Sequence, residues 1–218
     1  MAAEVEEFGF ETLRGVFDRA EVDGLIGRLP ELNGAAGDRD LLRFDWCRAL
    51  AVDERLIGAI RLAIGEGARS VRAILFDKNA QANWNLGWHQ DTKIAVAERL
   101  DAPGFIAWSD KGGVIHCKPP ASILEACVAA RIHLDGCGPT NGPLRIIPAS
   151  HLGGFRPRVD PALIDRAIEC HAQTGDVLLM KPLVWHASSK STDPTLHRRV
   201  IHVEYCGIDL PYDLRWAY

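Results

Sequence analysis

From about Ser70 onward the chain is a succession of short β-type runs: "VRAILF", "WHQDTKIAV", "ARIHLD", "LRIIPA", "DVLLM" and "RVIHVEY". Each is bounded by Gly, Pro, Asn or Asp. Their spacing is irregular and no helical pattern recurs between them. That argues against a doubly wound parallel sheet and favours an antiparallel sandwich or barrel. The first third reads differently. "FDRAEVDGLIGRL" offers Asp18 as an N-cap with Glu21 three residues on, then Val22, Leu25, Ile26 and Leu29 at helical spacing. "DERLIGAIRLAIGEG" repeats the pattern and ends in glycine. The expectation is a mainly β chain with N-terminal helices (α+β). Its 218 residues suffice for one domain with its own core. Residues 1–69 would form a helical layer on one sheet, and residues 70–210 the β core. Two long insertions, 98–122 and 152–170, read as binding loops or lids, the second carrying a short helix in "DPALIDRAIEC".

Charge and composition exclude several partners. The net charge is −4 and the basic residues are scattered, so no nucleic-acid footprint is present. The stretch "MAAEVEEFGF" lacks the basic and apolar regions of a signal peptide. No apolar run approaches the roughly 18 residues of a membrane helix. A cytoplasmic protein is expected. Six cysteines (Cys47, Cys117, Cys127, Cys137, Cys170 and Cys206) form no CxxC pair and read as free, mostly buried thiols.

The stretch "WNLGWHQDTKIAV" carries the first chemical signal. On a strand His89 and Asp91 project to one side and Gln90 to the other. An imidazole and a carboxylate so placed can bind one metal ion, given a third ligand from elsewhere; they equally fit a hydrogen-bonded structural pair. Two histidines and one carboxylate occupy one face of an iron(II) octahedron and leave three positions open. Candidates for the third ligand are His116, His133, His151, His171, His186, His197 and His202. His186 differs from the others, because it closes "GDVLLMKPLVWHASS", where an apolar strand and a Pro turn deliver it into a small-residue segment. Twelve residues later Arg198 opens a strand, and its fixed fork suits a carboxylate in a partly desolvated pocket.

Taken in order, HQD, "LDGCGPTNGPLRIIPASH", "GDVLLMKPLVWHASS" and "HRRVIHVEY" resemble the phytanoyl-CoA dioxygenase family, Fe(II)- and 2-oxoglutarate-dependent oxygenases on a double-stranded β-helix of jelly-roll or cupin-like form. The resemblance covers roughly Val71 to Tyr205. It implies His89, Asp91 and His186 as iron ligands and as the catalytic set. It implies Arg198 on the distal carboxylate of 2-oxoglutarate, with Ser188 as a second contact. Family position and strand parity together choose Arg198 over Arg199: Arg198, Val200, His202 and Glu204 share one face, leaving Ile201, Val203 and Tyr205 for the helical layer. Trp108 and Asn83 complete the expected cofactor-binding set. Trp84 and Trp88 are further candidates to wall the site, with plain core as the alternative. Arg72, Lys78, Arg131 and Asn85 lie on or beside strands, where solvation is the plainer expectation. Asn141 and Gly142 read as a tight turn.

The resemblance implies an oxygenase that uses Fe(II), 2-oxoglutarate and O2 to hydroxylate a small molecule, with release of succinate and CO2. Asp91 itself argues for hydroxylation over halogenation, for which a small residue would open a position for halide. The alternative is a cupin-like, non-catalytic metal-binding or sensor barrel, which would leave Arg198 without a task. The substrate and the oligomeric state are not legible. Lys111, Lys118, Arg156 and Arg158 lie in the expected lids, where they would meet an anionic group or simply solvent.

Overall fold

The computed structural model describes residues 2–193 and 195–218. Its helices are α1 (Ala2–Phe8), α2 (Arg19–Ile26), α3 (Asp45–Ala51), α4 (Glu54–Ile64), α5 (Ala121–Glu125) and α6 (Pro161–Ile164). Its strands are β1 (Phe10–Leu13), β2 (Gly37–Asp38), β3 (Arg69–Lys78), β4 (Leu86–His89), β5 (Ile94–Val96), β6 (Ile106–Lys111), β7 (Val114–Lys118), β8 (Cys127–His133), β9 (Leu144–Ile146), β10 (Ile168–Cys170), β11 (Val177–Met180), β12 (His186–Ser188) and β13 (Arg198–Cys206). They form a six-stranded sheet ordered β1-β11-β8-β13-β3-β2, a four-stranded sheet β10-β9-β12-β4 and a three-stranded sheet β5-β7-β6. The pairs within these sheets are antiparallel.

The six-stranded sheet is built on alternation. Ala73 and Leu75 on β3, Ala130 and Ile132 on β8, and Ile201, Val203 and Tyr205 on β13 share one face. The helices cover that face. Asp18 starts α2 with the expected box, its carboxylate accepting from the Glu21 N–H at 2.8 Å while Glu21 accepts from the Asp18 N–H at 2.8 Å. Helix α4 turns Leu56, Ile57 and Ile60 inward. Fully burying such a side chain contributes about 1.5–3 kcal/mol, so this stripe alone pins α4 onto the sheet. Tyr205 is fully buried and donates its hydroxyl proton to the Ala51 carbonyl at 2.9 Å, tying β13 to the helical layer. The other face of the same strands looks inward. There Ala129, Leu178 and Met180 pack against Leu144 and Ile146 of the four-stranded sheet. Elsewhere this face is polar, with Arg72, Arg131, Arg198 and His202 among its buried side chains.

Several expectations need correction. Residues 1–69 are not purely helical: β1 and β2 supply the two edges of the large sheet, pairing with β11 and β3. Exposed edge groups on that sheet would otherwise lack partners. The insertion 98–122 is not a bare lid, because most of it is the β6–β7 hairpin, closed by β5. The insertion 152–170 carries the end of a 3-10 turn (Ser150–Gly153), the short α6 and then β10, which pairs with β9 and completes the smaller sheet. "WHQDTKIAV" is two strands with a break at Gln90–Lys93. At the break Gln90 ties the chain to two loops: its buried amide donates to the carbonyls of Gly154 (2.9 Å) and Leu183 (2.6 Å) and accepts from the Arg156 N–H (2.9 Å). The six cysteines are free and buried, as expected. Among the described residues no helix is long and apolar enough to cross a membrane.

Candidate active site

The smaller sheet brings the two histidines together. His89 ends β4, His186 begins β12, and they are direct cross-strand partners. Their ring centroids are 4.0 Å apart. Each ring places Nδ1 2.9 Å from a carbonyl two residues earlier, that of Gly87 for His89 and of Val184 for His186. A proton on Nδ1 satisfies each carbonyl, which leaves both Nε2 lone pairs free and aimed. The Asp91 N–H donates to the Pro182 carbonyl at 2.9 Å, holding the chain just past the strand break. Asp91 Oδ1 then lies 3.7 Å from His89 Nε2, and Oδ2 lies 3.5 Å from His186 Nε2. One ligand atom from each of the three residues falls within 4.8 Å of the others.

The electrostatics suit a cation. Burial pushes the His186 imidazolium down to about 4, with Asp91 pulling the other way and His89 adding to the fall. The neutral ring, which is the ligand form, therefore prevails at neutral pH. Burial pushes the Asp91 carboxyl up, but His186, His202, His89 and Arg131 outweigh it and hold the group below its ordinary range. Two deprotonated ring nitrogens facing one carboxylate are a donor set that fits ferrous iron.

Deeper in the same cavity, which encloses about 360 Å³ between the two sheets, stands Arg198. It is buried, donates to the Gly142 carbonyl, and lies 3.1 Å from Ser188 Oγ. Its Nε has no hydrogen-bond partner among the described residues. Lys78, directly across the ladder, donates to Ser188 Oγ at 3.1 Å and to the Ser189 carbonyl. Burial, and then the Arg198 charge, push its ammonium down to about 7. Among the described residues neither buried cation is paired with a carboxylate: Arg198 meets Gly142, Ser188 and the Cys137 thiol, and Lys78 meets Ser188, Ser189 and the Trp84 ring. Arg199 lies on the opposite face, where its Nε and Nη2 bond Asp135 at 2.8 and 2.7 Å.

Gly142 sits under this corner with φ +58°, and a Cβ there would overlap the Ser189 carbonyl oxygen. We expect Gly142→Ala to lower stability by about 1–3 kcal/mol, measured by denaturant unfolding of the metal-free protein.

The structure collects His89, Asp91, His186, Ser188 and Arg198 around one cavity, and Trp84 joins them. It does not bring Trp108 or Asn83 there. Trp108 packs on a separate cluster with Phe105 and Leu210, and its Nε1 donates to the Phe105 carbonyl at 3.2 Å. Asn83 exchanges two hydrogen bonds with the Ser191 backbone, at 2.9 and 2.8 Å, and so shapes a loop. Trp88 is covered by Arg145, whose guanidinium sits 5.3 Å from the ring centroid. Sequence reasoning undervalued Arg72, Lys78 and Arg131, which are buried rather than solvated, and did not single out His202, which lines the cavity. The signal was available in the parity of β3 and β13. Lys78 faces Arg198, Ile74 faces His202 and Arg72 faces Glu204 across the ladder.

The family model described as phytanoyl-CoA dioxygenase matches residues 5–200. No curated protein sequence matches the chain. Among solved structures, HygX from Streptomyces hygroscopicus with nickel and 2-oxoglutarate bound is 19% identical with a TM-score of 0.66, covering 93% of this chain and 83% of its own. EctD from S. alaskensis in its apoform is 17% identical at 0.67, covering 94% and 75%. SnoN, a non-heme alpha-ketoglutarate-dependent epimerase from nogalamycin biosynthesis, is also 17% identical at 0.67, covering 94% and 79%. At these identities the likeness is one of fold.

Proposed function

Because this chain belongs to the phytanoyl-CoA dioxygenase family, whose members are Fe(II)- and 2-oxoglutarate-dependent oxygenases, we propose that His89, Asp91 and His186 hold the iron and that Arg198 holds the distal carboxylate of 2-oxoglutarate. The bound iron and cosubstrate, with O2, would supply oxidative decarboxylation to succinate and CO2, coupled to hydroxylation of a C–H bond in a small molecule. The observation that carries the reading is the convergence of both Nε2 atoms and the Asp91 carboxylate at one point. Each contributing group has a definite task. The Gly87 and Val184 carbonyls fix the histidine tautomers. Asp91 brings the negative charge that offsets the metal. Ser188 and Lys78 stand beside Arg198, and together they offer a carboxylate three donors in a place where the cations have no counter-charge. Ile74, Phe76, Trp84, Leu86 and Leu144 give the cavity apolar walls that limit water around the reacting centre.

Anaerobic addition of Fe(II) and 2-oxoglutarate is expected to produce a weak visible charge-transfer band that needs both components. Folded protein without that band would instead favour a non-catalytic metal-binding barrel.

A further inference from the structure

The inner half of the cavity is accounted for by the metal ligands and Arg198. The outer half is not. Beyond them the lining turns cationic, running from buried Arg72 and Arg131 through Lys93 to exposed Arg39 and Lys111, with Glu204 the one further carboxylate among its described residues. Asp91 and Glu204 are the acids among the described residues of this lining. Glu204 is already shared: Arg72 Nη1 lies 3.2 Å from its Oε1, and His202 Nε2 lies 3.5 Å from the same oxygen.

Two of these cations are deeply placed. Arg72 is 7% exposed and Arg131 8%, and the Nε of each has no hydrogen-bond partner among the described residues. Burying a guanidinium with unused donors is costly unless an anion completes it. The neighbouring groove, which shares Arg39 and Lys111 with the mouth, also contains Asp38 and Asp40. Those carboxylates are engaged elsewhere. Arg43 takes both oxygens of Asp38 at 2.7 and 2.6 Å, and Tyr218 bonds Asp40. The crowding registers on Lys111, whose ammonium is pushed below its ordinary range by burial and then by Arg39, Arg72 and Lys93, against Glu204 alone.

We propose that the substrate is an acidic small molecule whose carboxylate or phosphate is held towards the cavity mouth by Arg39, Lys93 and Lys111 over the buried Arg72, an assignment that rests on the oxygenase reading above. The anionic end stays at the rim while an apolar portion lies along Ile74, Phe76 and Leu144 towards the metal ligands. The rim charge also draws anions in from solution at low ionic strength. A neutral or cationic substrate would leave the mouth unmatched.

Calorimetric titration of octanoate, octyl phosphate and octanamide into the 218-residue chain tests this. The titrations are run on metal-free protein and again with Ni(II) and 2-oxoglutarate added. The two anions are expected to bind at least about tenfold more tightly than the amide. The Arg39→Gln/Lys111→Gln double variant, altered only at exposed rim positions, should weaken both anions about tenfold and leave the amide unchanged. Arg198→Leu should leave anion binding to the metal-free protein intact. The tighter of the two anions identifies the headgroup. Equal affinity for anions and amide would overturn the proposal. So would anion binding that is lost with Arg198→Leu but kept in the rim variant, since the rim would then serve only to steer the cosubstrate. The metal-free arm is read without iron, so a missing charge-transfer band and a missing anion site are separate results.

Discussion

Asp91→Ala is expected to abolish iron-dependent succinate formation, with a loss well beyond the about 10- to 100-fold that removal of a metal ligand's outer partner costs. Two histidines and one carboxylate hold a ferrous ion on one face and leave positions for a bidentate cosubstrate and O2. With one gone, affinity and geometry fail together. His186→Ala should do the same, but the two variants differ in what else they disturb. His186 is 4% exposed, and its ring donates to the Val184 carbonyl. Its removal leaves a cavity and an unmet acceptor, together about 1–3 kcal/mol. The Asp91 side chain is 40% exposed to the cavity, so alanine there leaves little void. The decisive measurements on Asp91→Ala are succinate yield, the Fe(II)/2-oxoglutarate band, and thermal unfolding of the metal-free protein. Activity and band should vanish while the unfolding midpoint barely moves. Retained turnover would mean that another group, such as Glu204, the other carboxylate among the described residues of the cavity lining, completes the metal site.

What could be seen in the sequence follows from which interactions are local. The capping box of α2 and the apolar stripe of α4 are written in adjacent residues, and both form as read. The parity of β13 is also local. It placed Ile201, Val203 and Tyr205 on the helical layer, and the structure has them there. Failures arise where the partner lies far along the chain. Nothing near Phe10 says that it pairs with Met180. Nothing near Lys78 says that its neighbours are Ser188 and Arg198, so a lysine on an alternating strand reads as solvated when it is buried. Trp108 shows the converse error. A large aromatic near a motif serves a ligand wall and a hydrophobic cluster equally well, and only the register of β6 against β7 decides between them. The cluster of His89, Asp91 and His186 was the more legible because its spacing is short on one side, His89 to Asp91, and only one distant residue had to be found.

Arg198 and Arg199 are adjacent and chemically identical, yet replacement by leucine should impair function without loss of stability at the first and lower stability without loss of function at the second. Arg198 faces the cavity with Lys78 as its neighbour and, among the described residues, no carboxylate paired with it. Loss of a charge-assisted contact to the cosubstrate carboxylate is worth about 2–4 kcal/mol, so Arg198→Leu should raise the 2-oxoglutarate concentration for half-maximal succinate formation by about 30- to 1000-fold. The same change removes a buried cation that metal-free protein leaves uncompensated, and it relieves part of the pressure on the Lys78 ammonium. Stability without ligands should therefore hold or rise. Arg199 makes a two-point pair with Asp135 in a setting where the side chains are 25% and 20% exposed. Its loss should cost about 1 kcal/mol of stability and leave the 2-oxoglutarate requirement unchanged. Denaturant midpoints and cosubstrate titrations on the two variants decide the matter. Should Arg199→Leu be the one that raises the requirement, the face of β13 assigned to the cosubstrate is the wrong one.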